Sequence, residues 1–502
     1  MDNPEPQNHQ VRQPQSVDLR AAAKQVMIEY GFEPDLPPDA QREVAGLQSH
    51  AEIVSASEGS VQDLRSLLWS SIDNDSSRDL DQVEVAERLS DGKVRVRIGI
   101  ADVDAFVPKG SAIDQYAANA TTSVYTGVRM FAMLPEQLST GITSLLETAD
   151  KAVVVTEFVV GTDGEVLSSD IYRALIRNKA QLAYDAVGAW LEKPSQESAP
   201  PKVAASTELQ AQLKLQDEAA QSLRQQRHLR GALEIETIEV RPLMRNEQVT
   251  GLVKQEKNRA TELIEDFMIA ANGVVARMLQ EKKISSIRRV VKTPERWDRI
   301  KQLAAEQGGN LPSEPDSKAL NEFLMQRKSA DPDHFADLSL AVIKLMGPGE
   351  YVLERPGDPE QGHFGLAVLD YTHSTAPNRR FADLVTQRLV KATLSAEPTP
   401  YSDGELDAIA RNCTSKEDAA RKVERKMAKK IAAVVMSRRI GETFDAMVTG
   451  VTSKGTFVRV LQPHAEGLLA QGQEGVDVGD RLRVKLIRTD VQRGYIDFAR
   501  EG

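Results

Sequence analysis

Among 502 residues there is one cysteine, Cys413. A lone thiol can neither close an internal disulfide nor supply a cysteine-based zinc site, which points to a reducing compartment, the cytoplasm. Aromatic residues make up 5% of the chain, and no stretch approaches the ~18 uncharged apolar residues of a membrane-spanning helix. The opening segment, Met1 to Gln15, lacks the apolar core of a secretory signal. No heptad repeat signals a partner subunit, so a monomer is expected. The 41% apolar and 27% charged residues are those of a soluble globular chain of about three domains.

The charge is acidic, with 63 Lys and Arg against 74 Asp and Glu. Taken alone, this disfavours a nucleic-acid partner. The average hides a basic stripe, however. Ten Lys and Arg lie between Arg411 and Arg439, interrupted only by Glu417, Asp418 and Glu424. Such a stripe is either the footprint of a polyanion or a solvated helix face laced with i,i+4 ion pairs.

Residues 1–16, rich in Pro, Gln and Asn, read as a disordered tail. Residues 17–57 form a helical module: Asp18 to Tyr30 is an amphipathic helix stopped by Gly31, and a second runs from Asp39 to Leu47 after Pro34, Pro37 and Pro38. The pair could be a helix-turn-helix or a plain packing hairpin. Residues 58–440 read as a large mixed α+β domain. In it, Gln82–Val85 and Lys93–Ile100 alternate about Asp91-Gly92 as a β-hairpin, Lys151–Val160 is a strand and Glu192–Ala205 a Pro/Ser-rich loop. Helices are expected near 208–230, 260–282, 318–326, 335–346, 380–395 and 404–439. Residues 441–502 hold about five short strands with glycine turns, which suits a small OB-type barrel.

The densest acidic cluster is Ser71-Ile-Asp-Asn-Asp-Ser-Ser-Arg-Asp-Leu-Asp-Gln82. Carboxylates this close raise one another's pKa unless a cation lies between them, and hard oxygen ligands select Mg²⁺, Mn²⁺ or Ca²⁺. Counted from Asp73, the spacing nearly meets the EF-hand template, but Arg78 occupies the position where the turn requires glycine, and the residues after Glu84 read as a strand.

This segment resembles the metal-binding signature of the ribonuclease II-type exoribonucleases, the RNB family. Asp63-Leu-Arg65, Ile100-Ala-Asp-Val103, Tyr125, Met133-Leu-Pro135, Gly231-Ala-Leu233 and Leu263-Ile-Glu-Asp-Phe-Met-Ile-Ala-Ala-Asn272 are similar to further family blocks. The most specific are His363-Phe-Gly-Leu366 and Tyr371-Thr-His-Ser-Thr-Ala-Pro-Asn-Arg-Arg-Phe-Ala-Asp383. The tail, with Gly455-Thr-Phe-Val458 and Val478-Gly-Asp480, resembles an S1-type RNA-binding domain. The implied architecture is an RNB catalytic domain between a small helical module and an S1-type OB barrel.

The resemblance implies a processive, Mg²⁺-dependent 3′→5′ exoribonuclease that hydrolyses single-stranded RNA to nucleoside 5′-monophosphates, with Mn²⁺ as an alternative ion. Asp73, Asp79 and Asp81 fall on the family's catalytic carboxylates, with Gln82 beside them as an uncharged metal ligand. Arg379 falls on the arginine that grips the phosphate. Tyr125 would stack on the 3′-terminal base, and Glu424 would lie beside the bound nucleotides. Thr375, Arg380 and, in the tail, Phe457 would also contact RNA.

Three departures stand out. Gln82 replaces an acid of the D-x-D-D element, which should lower metal affinity. Only about sixty residues precede the signature, too few for two cold-shock domains, which motivates a wider entrance admitting RNA with short duplex segments. Glu234–Gln255 contains no aromatic partner for Tyr125. The alternative is a weak or inactive relative that only binds RNA as a regulator. Natural RNA targets and protein partners are not legible.

Overall fold

The computed structural model describes residues 18–47, 61–194, 198–245, 248–332, 334–359 and 361–501. The expected tail, the boundary near residue 57 and residues 195–197 of the Pro/Ser-rich loop lie outside them.

Two helices come first, α1 (Leu19–Glu29) and α2 (Pro38–Leu47). The Asp18 carboxylate caps α1 by accepting the N–H groups of Arg20 and Ala21, and Gly31, at φ +79°, lies just past its end. Eight residues separate the helices, against the ~3–4 of a helix-turn-helix. Nor do the two form a packed hairpin: α1 lies against the segment 403–437, and α2 lies against the segment 112–120.

The strands β1 (Gln62–Asp63), β2 (Ser70–Asp73), β3 (Gln82–Arg88) and β4 (Val94–Ala101) follow, then α3 (Ala112–Ala120) and a small hairpin of β5 (Val124–Tyr125) and β6 (Met130–Phe131). After β7 (Asp150–Val160), β8 (Val166–Arg177) and β9 (Ala180–Ala183), the main sheet is complete in the order β1-β8-β7-β4-β3-β2-β9. The alternation about Asp91-Gly92 does form a hairpin, with Val85 opposite Arg97 and Gly92 at φ +84°.

Helices α4 (Tyr184–Glu192), α5 (Pro201–Ala204) and α6 (Thr207–Leu229) lead to the hairpin β10 (Glu239–Arg245) and β11 (Gln248–Gln255), then to α7 (Arg259–Glu281). The face of α7 read as apolar buries Leu263, Ile264, Phe267, Ala271 and Val275, and Phe267 meets Phe158 of β7 edge-on at 6.4 Å. Helix α6 closes the open edge of β3. The Gln212 side chain accepts from the Ala86 N–H and donates to the Ala86 carbonyl, and Gln216 donates to the Glu84 carbonyl. Backbone groups that would be stranded in the interior are thereby paired.

The chain continues through β12 (Ser286–Val290), α8 (Trp297–Glu306), α9 (Ser317–Ala330), α10 (Phe335–Met346), β13 (Glu350–Glu354), α11 (Phe381–Leu394) and α12 (Asp403–Ser437). Helix α12 spans 35 residues and opens with a capping box of Ser402 and Glu405. Strands β14 (Thr443–Thr452), β15 (Gly455–Val460), β16 (Ala465–Gln471), β17 (Arg481–Asp490) and β18 (Tyr495–Arg500) close a barrel in the order β14-β15-β16-β18-β17. Ala433 and Met436 of α12 enter its core beside Phe444, Val458 and Phe498. The α+β reading with a terminal OB-type barrel holds. No helix of the described residues is long and apolar enough to cross a membrane.

Candidate active site

The acidic segment joins β2 to β3 at one end of the main sheet. Asp73 closes β2, and its carboxylate accepts the Asn74 N–H at 2.7 Å and the Ser77 hydroxyl at 3.0 Å. The chain then doubles back through exposed Asp75 and half-buried Asp79 to Asp81, which is 2% exposed. Ser144 holds the turn, taking the Leu80 N–H and donating to the Arg78 carbonyl. Glu84, the twelfth position of the EF-hand count, is fully buried inside β3, so this is not a calcium loop.

Asp81 is the electrostatic centre. One carboxylate oxygen accepts the Asn378 N–H at 3.0 Å. The other has no hydrogen-bond partner and stands 3.5 Å from Nε of Arg379. Burial pushes this carboxyl up to about 7, against the opposing pull of the Arg379 guanidinium and the Asn378 N–H. Asp79 is also raised, by burial first and by the charge of Asp73.

Arg379 lies on a tight loop, Thr375 to Arg380, that two distant segments shape. Asn272 of α7 accepts both the N–H and the hydroxyl of Ser374, and Asp383 at the start of α11 accepts the Ala376 N–H. Arg380 donates to Asp383 at 2.6 and 2.9 Å and to the Thr375 hydroxyl. Thr375 is itself buried. Arg380 and Thr375 therefore brace the loop, and Arg379, with 45% of its side chain exposed, is the guanidinium left open to solvent beside Asp81.

Tyr125 is 45% exposed. Its hydroxyl is shifted upward by desolvation, with the charges of Asp79, Asp81 and Asp73 adding to the effect, so it shares the cleft with the acids. Its N–H donates to Glu424 of α12 at 3.0 Å. The next turn of chain also joins the Arg379 loop, since the Ser123 N–H donates to the Arg379 carbonyl.

Sequence reasoning missed two neighbours. Tyr184, at the start of α4, has its hydroxyl raised by burial and then by Asp73 and Glu84. It arrives there because β9 pairs in parallel with β2, placing Ala183 opposite Asp73. Glu84 has both carboxylate oxygens buried without partners and is held well above the usual carboxylate range by burial and by Asp73. Gln82 opens β3 at 8% exposure. Phe457 lies half-buried on the barrel, opposite Leu468 and far along the chain from this cleft.

The basic stripe divides between the two readings. Arg411 and Arg421 make the i,i+4 pairs of a solvated face with Asp407 and Glu417. Lys416 and Lys426 hold α1, through the Gly31 carbonyl and Glu29, and Lys430 is buried against the Gln492 carbonyl. Lys422, Arg425 and Lys429 stay exposed at helical spacing.

Comparison with known proteins gives the family and the fold. The RNB domain family matches residues 61–396. The chain belongs to the RNB family. The C-terminal S1 domain of RNase II-type exonucleases matches residues 442–501. Among RNB proteins, the chain is 32% identical to Ribonuclease R of Thermotoga maritima over 474 residues, covering 87% of this chain and 64% of that one. With Ribonuclease R of Escherichia coli it shares 30% over 506 residues, covering 92% and 60%. The chain thus spans less than two thirds of these relatives. The fold is that of apo Mycoplasma genitalium RNase R, with a TM-score of 0.83 at 24% identity, covering 96% of this chain and 78% of that one. Yeast Ssd1, described as a pseudonuclease, also shares it, at a TM-score of 0.65 and 17% identity over 86% of this chain and 52% of that one. RNB membership and fold alone therefore leave catalysis to be argued from the site.

Proposed function

We propose that the chain is a hydrolytic 3′→5′ exoribonuclease that acts on single-stranded RNA and releases nucleoside 5′-monophosphates. The observation that carries this reading is Asp81, buried between Arg379 and the Asn378 N–H with one oxygen unpaired, beside Asp79 and Asp73. A binding module gains nothing from buried acids that repel one another and the phosphate.

Among the described residues no three His, Cys, Asp or Glu side chains gather tightly enough to enclose a metal ion. The all-oxygen donor set and the unpaired Asp81 oxygen fit Mg²⁺ or Mn²⁺, which bind through one or two carboxylates and share the rest of their coordination with substrate phosphate. Asp73, Asp79 and Asp81 would hold such an ion together with substrate phosphate, and it would supply charge neutralisation at the scissile phosphate and a more acidic water. Arg379 grips the phosphate and offsets charge that develops as the bond breaks. Tyr125 stacks on the terminal base, and Glu424 fixes Tyr125.

The barrel and the exposed face of Lys422, Arg425 and Lys429 gather the strand. Mycoplasma genitalium RNase R has been solved with ribose-methylated single-stranded RNA and with double-stranded RNA, which supports both substrates here, duplex segments included. A reducing cytoplasm suits the lone buried thiol of Cys413. The test is product identity. Chromatography of a uniformly labelled oligoadenylate treated with protein and Mg²⁺ should show adenosine 5′-monophosphate. Intact RNA that stays bound would instead favour the regulator reading that Gln82 invites.

A further inference from the structure

The two helices at the start of the described chain are not spent on one another. Helix α1 lies along α12 and buries Leu19, Ala23, Val26 and Met27, with Phe32 just beyond it. The same core contains Val124, Val128 and Phe131, which are the back of the small hairpin that carries Tyr125. It also contains Val423 and Met427 of α12, on either side of Glu424. The buried side of the tyrosine's hairpin therefore faces one core that the module and α12 build together, with Val249 of β11.

Helix α2 packs on α3 instead, with Ala40 and Val44 in the core of the main sheet. Glu43 accepts the N–H groups of Ala112 and Ile113 at 2.7 and 3.3 Å, capping α3 from a different segment of the chain. A helix N-terminus leaves such donors unpaired, and a carboxylate also complements its dipole. Helix α3 ends at Thr121, whose carbonyl accepts the Phe381 N–H, and the chain then passes Ser123, tied to Arg379, on its way to Tyr125. Lys416 and Lys426 stitch the module to α12 through the Gly31 carbonyl and Glu29, each at 2.5 Å.

We propose that the helical module is a brace for the 3′-end pocket, with Met27 and Glu43 as positioning residues that hold Tyr125 from behind, and that it does not read RNA. Six acidic and three basic residues over 18–47 make it a poor phosphate surface. The inference rests on the exoribonuclease reading for its kinetic test and on RNA binding alone for its second test.

The experiment compares Met27→Ala, Glu43→Ala and the control Arg20→Ala/Arg42→Ala on 5′-labelled oligoadenylate. A pocket that is competent only part of the time binds more weakly by that fraction, so KM should rise about tenfold in the first two variants, with kcat within about threefold. The final fragment should lengthen by at least one nucleotide, and the control should match wild type. Glu43→Ala removes the acceptor without touching the buried core, so it keeps the test open should Met27→Ala fold poorly. The same substitutions in an Asp81→Asn background, with RNA carrying 2-aminopurine at its 3′ end, should show weaker quenching of that base on binding. This reading survives even if the chain does not cleave RNA. Unchanged KM, fragment length and quenching alongside a lowered Tm would make the module a mere stabiliser and overturn the proposal. Loss of RNA affinity in the Arg20→Ala/Arg42→Ala control would make it an RNA reader and overturn the proposal as well.

Discussion

Glu424 accepts the backbone N–H of Tyr125 at 3.0 Å, across 299 positions of chain. The bond ties the longest helix of the described chain to the residue that faces the acids, and it uses the main chain of the tyrosine, leaving the ring free to stack. Burial raises the Glu424 carboxyl and this N–H pulls it back down. Glu424→Ala leaves the donor unmatched at a cost of about 1 kcal/mol, which should weaken 3′-end binding about fivefold. Glu424→Gln, which keeps an acceptor oxygen, should stay near wild type. Fluorescence titration with 3′-terminal 2-aminopurine RNA checks both.

The raised Asp81 carboxyl makes stability fall with rising pH. Its folded pKa of about 7 exceeds the model-peptide 3.8, so between these values the native state binds more protons than the unfolded state. Stability from this group is complete below about pH 4 and is lost as pH climbs to about 7. Without divalent ions, Asp81→Asn should raise stability at pH 8 by on the order of 3 kcal/mol and leave it unchanged near pH 4. Urea melts at the two pH values measure this. Mg²⁺ affinity should in turn drop about tenfold per unit below pH 7, as protons compete for the same oxygen.

Gln82→Asp restores a charge beside the acids. Repulsion and burial should destabilise the metal-free protein by about 1–3 kcal/mol, while Mn²⁺ binding tightens several-fold. Calorimetric titration and metal-free melts should therefore move in opposite directions. An unchanged Mn²⁺ affinity would show that position 82 is not a ligand.

Gly494, at φ +74°, turns the barrel's β17–β18 loop onto α12, where an added Cβ would lie 2.9 Å from the Lys430 nitrogen. Gly494→Ala cannot shift away from helix backbone, and its left-handed φ adds about 1–2 kcal/mol of strain. The barrel should undock from α12. Affinity for a 20-nucleotide RNA should fall at least tenfold, while cleavage of a pentanucleotide, too short to reach the barrel, stays near wild type. Filter binding and gel assays separate the two.

Legibility in the sequence followed locality. Helix α10 was expected over its observed span, and α12 to within two residues at its far end, because period and caps lie within the segment. Strand β16 went unnamed because Ala465–Gln471 carries a glycine and only weak alternation. Two of the family blocks come together in Asp81 and Arg379, 3.5 Å apart, and Tyr125 feels the charges of Arg379 and the three aspartates. Tyr184 is not legible because its proximity to Asp73 depends on the β2–β9 pairing, which no local pattern encodes, and Glu84 enters only through the calcium count that its burial in β3 excludes. Arg380, an RNA contact by resemblance, pairs with Asp383 three residues on at the start of α11, a contact within i,i+3 reach of the sequence. Asn272 shows why two separate blocks matter together, since it shapes the loop that presents Arg379.

The most direct measurement is a denaturing gel of a 5′-labelled 20-nucleotide RNA incubated with wild type or Asp81→Asn, each with Mg²⁺ or EDTA. Shortening from the 3′ end to a fragment of a few nucleotides, seen only for wild type with Mg²⁺ and slowed at least about a thousandfold by the substitution, is the result expected of a metal-assisted nuclease centred on Asp81. Equal cleavage by both proteins, or intact RNA bound equally by both, would contradict it.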